Sequence, residues 1–363
     1  MHDEVIDVIN AYVESLNVEH IPKLMHRLPF LEKLEKSYNT AKFKPTYGSV
    51  HLHNGDLVTV PVFDMKTMIL SILHDKTLMQ NHNFAPGLDI FTGTLNDDCV
   101  ENNTFGEIHT GDAWNQAVHR FSGEGKYMPL GLVVFGDKSH SNLNGTLSLS
   151  PVTFTATFFN SAVRNNPDCW QPMGYIPNLA HANVGGGKAS DKSQNEHNCL
   201  AYVLKSLIDL SEAGGIRTIV MGRLVHVKPF IMYFIGDTEG FNKWLGHYNS
   251  SKPRVHRPYR DCHCSFGDLS NSNPLCVYTE AIKFRRAKRM VESENHTIDG
   301  LQCLSRQSRH NINNALYQSR LPLSDGIHGA NRMCPPELLH VLDAGLMMYI
   351  LESLQGLISG GQC

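Results

Sequence analysis

Short apolar runs that stop abruptly organise this chain. Pro129-Leu130-Gly131-Leu132-Val133-Val134-Phe135 is an unbroken apolar run of strand length, as a strand buried on both faces requires, and it ends at Gly136-Asp137. After a turn around Asn142-Leu143-Asn144-Gly145, Thr146 to Phe159 alternates and is rich in Thr, Val and Phe, which predicts a second strand. Trp170 to Ile176 predicts a third. Leu200, Val203, Leu204, Leu207 and Ile208 then recur at helical spacing within Cys199 to Glu212, and Gly214-Gly215 suits the helix end. Ile216 to Ile235 reads as strand, with an apolar end at Phe230–Ile235, and stops again at Gly-Asp, here Gly236-Asp237.

Outside this block the pattern changes. Val5, Ile6, Val8, Ile9, Tyr12, Val13 and Leu16 predict a helix within residues 1–40. Residues 41–125 are mixed, with an irregular Gly- and Asn-rich middle from His82 to Gly111. Residues 238–334 exchange strand patterning for Cys, His, Arg, Ser and Asn. Pro335-Pro336 then opens a strongly apolar helix, Glu337 to Ile358, with Pro and an acid in its first turn. The order strand, strand, strand, helix, strand, long insertion, helix predicts an α/β fold that begins with a meander. Four regions follow: a helical and irregular stretch 1–125, the first part of a core 126–237, a Cys/His-rich basic insertion 238–334, and a terminal helix 335–363 that completes the core.

Composition narrows the function classes. The 363 residues are 41% hydrophobic and 18% charged, which suits a globular chain and excludes wholesale disorder. No run of 18 apolar residues occurs, so no membrane span is expected. The first residues, MHDEVIDVINAYVES, carry acids where a signal peptide needs positive charge. Nine scattered cysteines do not suggest a disulfide framework, so a reduced, intracellular chain is expected. Twenty histidines hint at metal or proton chemistry. The net charge of −3 hides an asymmetry: residues 1–110 hold 8 Lys and Arg against 15 Asp and Glu, residues 251–320 hold 12 against 6. Lys283, Arg285, Arg286, Lys288 and Arg289 put five cations into seven residues, a pattern that suits phosphates or a nuclear localisation signal but also an ordinary solvated helix face.

Two constellations carry candidate chemistry. Asp137 and Asp237 each follow an apolar strand, and Glu337 opens the terminal helix. Ligand sites of α/β sheets gather beyond strand ends, and three clustered carboxylates need a cation between them; hard oxygen ligands suit Mg²⁺ or Mn²⁺. Two such ions stabilise the attacking and leaving oxygens of a phosphoryl transfer. A single Asp after a strand is more often a turn or cap residue. The second constellation is Cys262, Cys264 and Cys276 with His247 or His256, whose soft thiolate and imidazole donors favour a structural Zn²⁺ that would hold a polar insertion together. Gly185-Gly186-Gly187-Lys188 lacks the spacing and the Ser/Thr of a phosphate loop.

The stretch from Pro129 through Arg164 to Gly174-Tyr175-Ile176-Pro177 resembles the first catalytic block of eukaryotic cut-and-paste transposases of the Plavaka and CACTA-like group. FIMYFIGDTEGFNKWLGH resembles the second block, and CPPELLHVLDAGLMMYILESL the third. The resemblance spans residues 127–358. It implies a ribonuclease-H-like mixed sheet flanked by helices, with a Cys/His-rich insertion before the last helix. It implies an acidic triad at Asp137, Asp237 and Glu337. By position, Asp343, nearly two turns further on, is the alternative third acid, and His340, one turn after Glu337, is either a neighbour of that acid or, more often for a lone His on an apolar helix, a core residue. The resemblance implies metal-dependent cleavage and transfer of DNA strands, transposon ends and target DNA as partners, and a nuclear location, and it leaves self-association open. The rival expectation is a domesticated or truncated, non-catalytic, zinc-stabilised module that binds DNA or protein.

Overall fold

The computed structural model describes residues 44–96, 107–136, 139–140, 148–179, 189–248, 255–257, 280–293 and 295–335. The chain divides into two compact units, 1–45 and 46–363, and the described strands and helices all belong to the second. The helix expected before residue 40 and the terminal helix from Glu337 lie outside the described residues.

Strand β1 (Thr46–His51) pairs antiparallel with β2 (Leu57–Val62). Helix α1 (Met65–Leu73) follows, capped by Asp64, whose carboxylate accepts the Thr67 amide at 2.8 Å. A short ribbon, β3 (Leu88–Asp89) with β4 (Thr94–Leu95), lies in the irregular stretch before α2 (Asp112–Phe121). The core strands come next: β5 (Met128–Gly136), β6 (Ser139–His140), β7 (Ser148–Ala156), then a single-turn α3 (Ser161–Arg164) and β8 (Gln171–Ile176). Helix α4 (Ala189–Glu212) leads to β9 (Ile216–Val220), β10 (Arg223–Ile235) and α5 (Thr238–Trp244); α6 (Ala281–Glu292) and α7 (Thr297–Arg306) belong to the insertion.

The expected meander is present, with β5, β7 and β8 within three residues of their predicted bounds at either end. Two expectations need correction. α4 begins ten residues earlier than predicted, because its first turns, Ala189 to Asn198, are mostly polar and show no apolar stripe. The single strand expected over 216–235 is a hairpin: Met221 and Gly222 both take positive φ (47° and 80°), the twist that a two-residue turn needs to pair β9 with β10.

The sheet runs β1-β2-β8-β7-β5-β10-β9, with β6 attached to β7. Among the described residues every strand pair of this sheet is antiparallel except β5 with β10. Both faces are covered. On one, Trp114 and Phe121 of α2 pack with Phe230 and Met232 of β10, and a Cβ on Gly131 would come within 2.8 Å of the Trp114 ring. Gly136 is five residues further along β5 and so faces the other side. Its rung continues through Val152 to Gly174, where a Cβ would come within 2.9 Å of Val203 of α4. The Gly of the Gly-Tyr-Ile-Pro ending is therefore a packing requirement for α4.

β10 also gains a partner from far along the chain. The Ile231 amide donates to Pro322 O and the Ser324 amide to Ile231 O, both at 2.8 Å, in a parallel bridge with Leu323. The Phe234 amide then donates to Met333 O at 2.8 Å. The insertion thus returns to the core beside β10, three residues before Asp237 and four before Glu337.

Two histidines are locked neutral in this interior. Burial, reinforced by the nearby Arg164 charge, lowers the His109 pKa to about 3, and burial lowers His197 to about 4. Both bind protons more weakly folded than unfolded, so stability is full above pH 6.5 and is lost as pH falls toward those values. From pH 7 to pH 5 each is expected to cost about 2 kcal/mol. Urea melts at both pH values check this: His109→Leu should lose about 2 kcal/mol less than the wild-type chain over that interval. An identical loss would mean that His109 does not titrate between the two states.

Candidate active site

The glycines of the two Gly-Asp pairs, Gly136 and Gly236, come together where β5 and β10 end. Phe135 and Ile235 are the last residues that β5 and β10 pair with each other, so Gly136, the final residue of β5 and still paired to Val152 of β7, and Gly236, just past β10, lie side by side. A Cβ on Gly236 would lie 3.3 Å from the Gly136 carbonyl oxygen. A Cβ on Gly136 would overlap the Trp244 indole ring. The repeated glycine is therefore no mere turn signal: two strand ends and an indole share space that side chains would fill.

Asp237 caps α5. Its backbone is extended (φ −77°, ψ 169°), and its Oδ1 accepts the Gly240 amide at 2.5 Å. Capping is the ordinary work of an Asp after a strand, and it engages one of two oxygens; a carboxylate has lone pairs for further donors or a cation. The helix that Asp237 starts ends two turns later at Trp244, which packs edge-on to Phe234 at 5.7 Å.

A buried polar network holds this indole in place. Asn314 Nδ2 donates to Trp244 O at 3.1 Å and Arg309 Nη1 to Leu245 O at 2.5 Å. Arg309 Nη2 donates to Asn331 Oδ1 at 2.7 Å, and the Tyr317 hydroxyl bonds to the same oxygen. The Ala315 amide donates to His197 Nδ1 at 3.2 Å, which makes Nε2 the protonated nitrogen that donates to Lys243 O, also at 3.2 Å. Beside Trp244 lies a recess of about 210 Å³, reached by Ser150, Ile176 and the Lys243–Glu196 ion pair at 2.8 Å. No sequence signal marked Trp244, His197 or Arg309, because their hydrogen-bond partners in this network lie 22 to 118 residues away in the chain.

Arg164 works at a different place. Its Nη2 pairs with Glu107 Oε2 at 2.5 Å, and its Nη1 donates to the carbonyls of Thr157 (3.2 Å) and Phe159. Burial pushes the Glu107 pKa up, but hydrogen bonds from Arg164 and the Ser161 amide outweigh it and hold the carboxyl below its usual value. Arg164 thus clamps the chain beyond β7.

Among the other sequence candidates, Asp137, Glu337, His340, Asp343, Cys262, Cys264 and Cys276 lie outside the described residues. Among the described residues no group of three His, Cys, Asp or Glu side chains gathers at metal-binding distance. His247 is buried with Nδ1 2.7 Å from Tyr248 O, whereas His256 is exposed. Both lie next to residues that bond to Ser308: the Tyr248 amide donates to its carbonyl at 2.7 Å and the Arg257 amide to its hydroxyl at 3.0 Å. The five cations all lie on α6. Phe284 and Ala287 turn inward, Phe284 stacking on Tyr317 at 4.4 Å, while Lys283, Arg286 and Arg289 are exposed and Arg285 and Lys288 half-buried. No described helix is long and apolar enough to cross a membrane.

The family model described as Plavaka transposase matches residues 39–351. No curated protein matches the chain.

Proposed function

The chain belongs to the Plavaka transposase family, and from that premise we propose that it is a ribonuclease-H-like catalytic core that cleaves and transfers DNA strands with divalent metal ions. The observation that carries the reading is the side-by-side exit of Gly136 and Gly236 from parallel strands, each followed at once by an Asp. The strand order β8-β7-β5-β10, three antiparallel strands with a fourth parallel to the first, supports the ribonuclease-H-like assignment. Covalent reach supports the third acid. Met333 bonds to Phe234, and Glu337, four residues on, starts within about 14 Å of Met333.

Asp137, Asp237 and Glu337 would hold Mg²⁺ or Mn²⁺. The donor set fits: these are hard carboxylate oxygens, and Asp237 is half-buried with one oxygen fixed by the Gly240 amide. When bound, two such ions would activate water or a DNA 3′-hydroxyl as nucleophile and stabilise the leaving 3′-oxygen. The chain supplies the positioning. The cap on α5 fixes the Asp237 rotamer, Trp244 fills the space beneath Gly136, and the network around Arg309 keeps that indole in place. The cations of α6 would neutralise DNA phosphates, and a nuclear location would follow from the substrate.

Capping by Asp237 is also what the rival, a non-catalytic DNA- or protein-binding module, would retain. Strand cleavage of duplex DNA by the purified chain with Mg²⁺ or Mn²⁺, compared with Asp137→Asn and Asp237→Asn variants, separates the two. Cleavage that these variants do not lower would defeat the catalytic proposal.

Cys262, Cys264 and Cys276, with His247 or His256, are proposed to hold a structural Zn²⁺. Elemental analysis should find about one zinc per chain, since four ligands complete one tetrahedral site. Cys264→Ser should lose that zinc and melt at lower temperature; full retention of the metal would refute the assignment.

A further inference from the structure

A groove of about 540 Å³ runs between α6 and residues 312–319. Arg285, Lys288 and Arg289 stand along its α6 side with the exposed Ile282 and one carboxylate, Glu292, so cations outnumber acids three to one, and Asn313 and Gln318 line the side opposite. At 100° per residue, Lys283 and Arg286 fall on another part of the helix and take no part in the lining. The basic run that reads as one feature in the sequence is two surfaces in the fold.

Two of the three groove cations, Arg285 and Lys288, are set back from bulk water, while Arg289 is exposed. Arg285 reaches both the groove and an adjoining cavity of about 130 Å³. Its Nε is buried with no hydrogen-bond partner among the described residues. Lys288 is half-buried, fixed by a 2.7 Å hydrogen bond to Asn311 Oδ1, and desolvation lowers its pKa. A cation held in such a recess acts on an anion through less water than one on an open helix face, so its attraction is stronger.

We infer that this groove takes a single, unpaired strand of nucleic acid, with phosphates against Arg285, Lys288 and Arg289, while Lys283 and Arg286 meet duplex DNA outside it. A duplex turns its bases inward and presents only its backbone to a flat or convex surface. An unpaired strand can lower a phosphate, a sugar and a base into a recess of this size, where Asn313 and Gln318 offer hydrogen bonds and Ile282 an apolar contact. Phe284 and Tyr317 are stacked on each other, so base stacking contributes little and the binding is mainly electrostatic and salt-sensitive. The inference rests on the DNA reading above.

Fluorescence anisotropy of the full chain with a labelled oligothymidine of about 12 nucleotides, and separately with a labelled duplex, tests it. The Arg285→Ala/Arg289→Ala variant should weaken single-strand binding about tenfold or more, with the duplex affected less than about threefold; Lys283→Ala/Arg286→Ala should do the reverse. Arg285→Lys/Arg289→Lys should recover most single-strand affinity, which a merely misfolded helix would not. Equal weakening of both probes by the groove variant, or no loss of single-strand binding, would overturn the inference and leave the DNA reading standing. Displacement of the single strand by an excess of a free deoxynucleoside triphosphate would make the groove a mononucleotide site and overturn it as well. Binding of neither probe by the wild-type chain would remove the DNA reading itself and the groove assignment with it.

Discussion

Asp137→Asn and Asp237→Asn are each expected to lower Mg²⁺-dependent DNA strand cleavage by about 10³-fold or more, with little change in the fold. Metal ions supply several kcal/mol of transition-state stabilisation in phosphoryl transfer, and about 1.4 kcal/mol corresponds to a factor of ten. Replacing a carboxylate with an amide removes the charge that holds the ions while keeping the side-chain volume. The Asp237 variant is the more informative of the two. Its Oδ1 accepts the Gly240 amide, and an Asn side-chain oxygen can accept the same bond, so α5 should stay capped. Single-turnover cleavage alongside a thermal melt separates the roles: loss of cleavage at an unchanged melting temperature supports metal binding, whereas unchanged cleavage leaves Asp237 as a cap alone.

Gly136→Ala should be among the most destabilising single-methyl changes in the chain, at about 3 kcal/mol or more. The new Cβ would overlap the Trp244 ring, and that ring has little freedom to retreat. Phe234 packs against it edge-on at 5.7 Å, and Asn314 and Arg309 hold the backbone carbonyls of Trp244 and Leu245. Overpacking in such a setting typically costs about 1–3 kcal/mol, and a rigid neighbour puts this position at the upper end or beyond. The clash is testable as a pairwise term. Trp244→Leu alone should also destabilise, by opening a cavity, but Gly136→Ala in that background should cost much less than in the wild-type chain. Strict additivity of the two in urea melts would refute the contact.

Much of the sheet was legible in the chain itself. A strand buried on both faces must be apolar throughout, so β5 announced itself as the run Pro129–Phe135, and the Thr/Val/Phe-rich alternation of β7 followed from pairing with it. The two Gly-Asp endings were also legible, because an unbroken apolar run makes its own end conspicuous. Less visible were the elements whose identity is not local. The polar first turns of α4 carry no apolar stripe, yet Asn195 and His197 are buried there by partners elsewhere. The β9–β10 hairpin hides in a continuous strand-like sequence, because Met221-Gly222 is not a typical turn pair although both residues take positive φ.

The candidate site divides in the same way. Residue type and order alone nominated the acids, the Cys/His cluster and the cations as candidates, because hard metals need carboxylates, zinc favours thiolates and phosphates need positive charge. Those are properties of single side chains and survive in a string of letters. Only the tertiary structure decided that the ends of β5 and β10 emerge together, that Trp244 requires Gly136 to be glycine, and that residues 322–333 return beside β10. It also decided that five adjacent cations serve two surfaces, because a helix turns neighbours 100° apart and the packing of Phe284 against Tyr317 sets which of them face the groove. Contacts between residues distant in the chain are set by how the faces of elements pack, and packing leaves no periodicity in either partner taken alone.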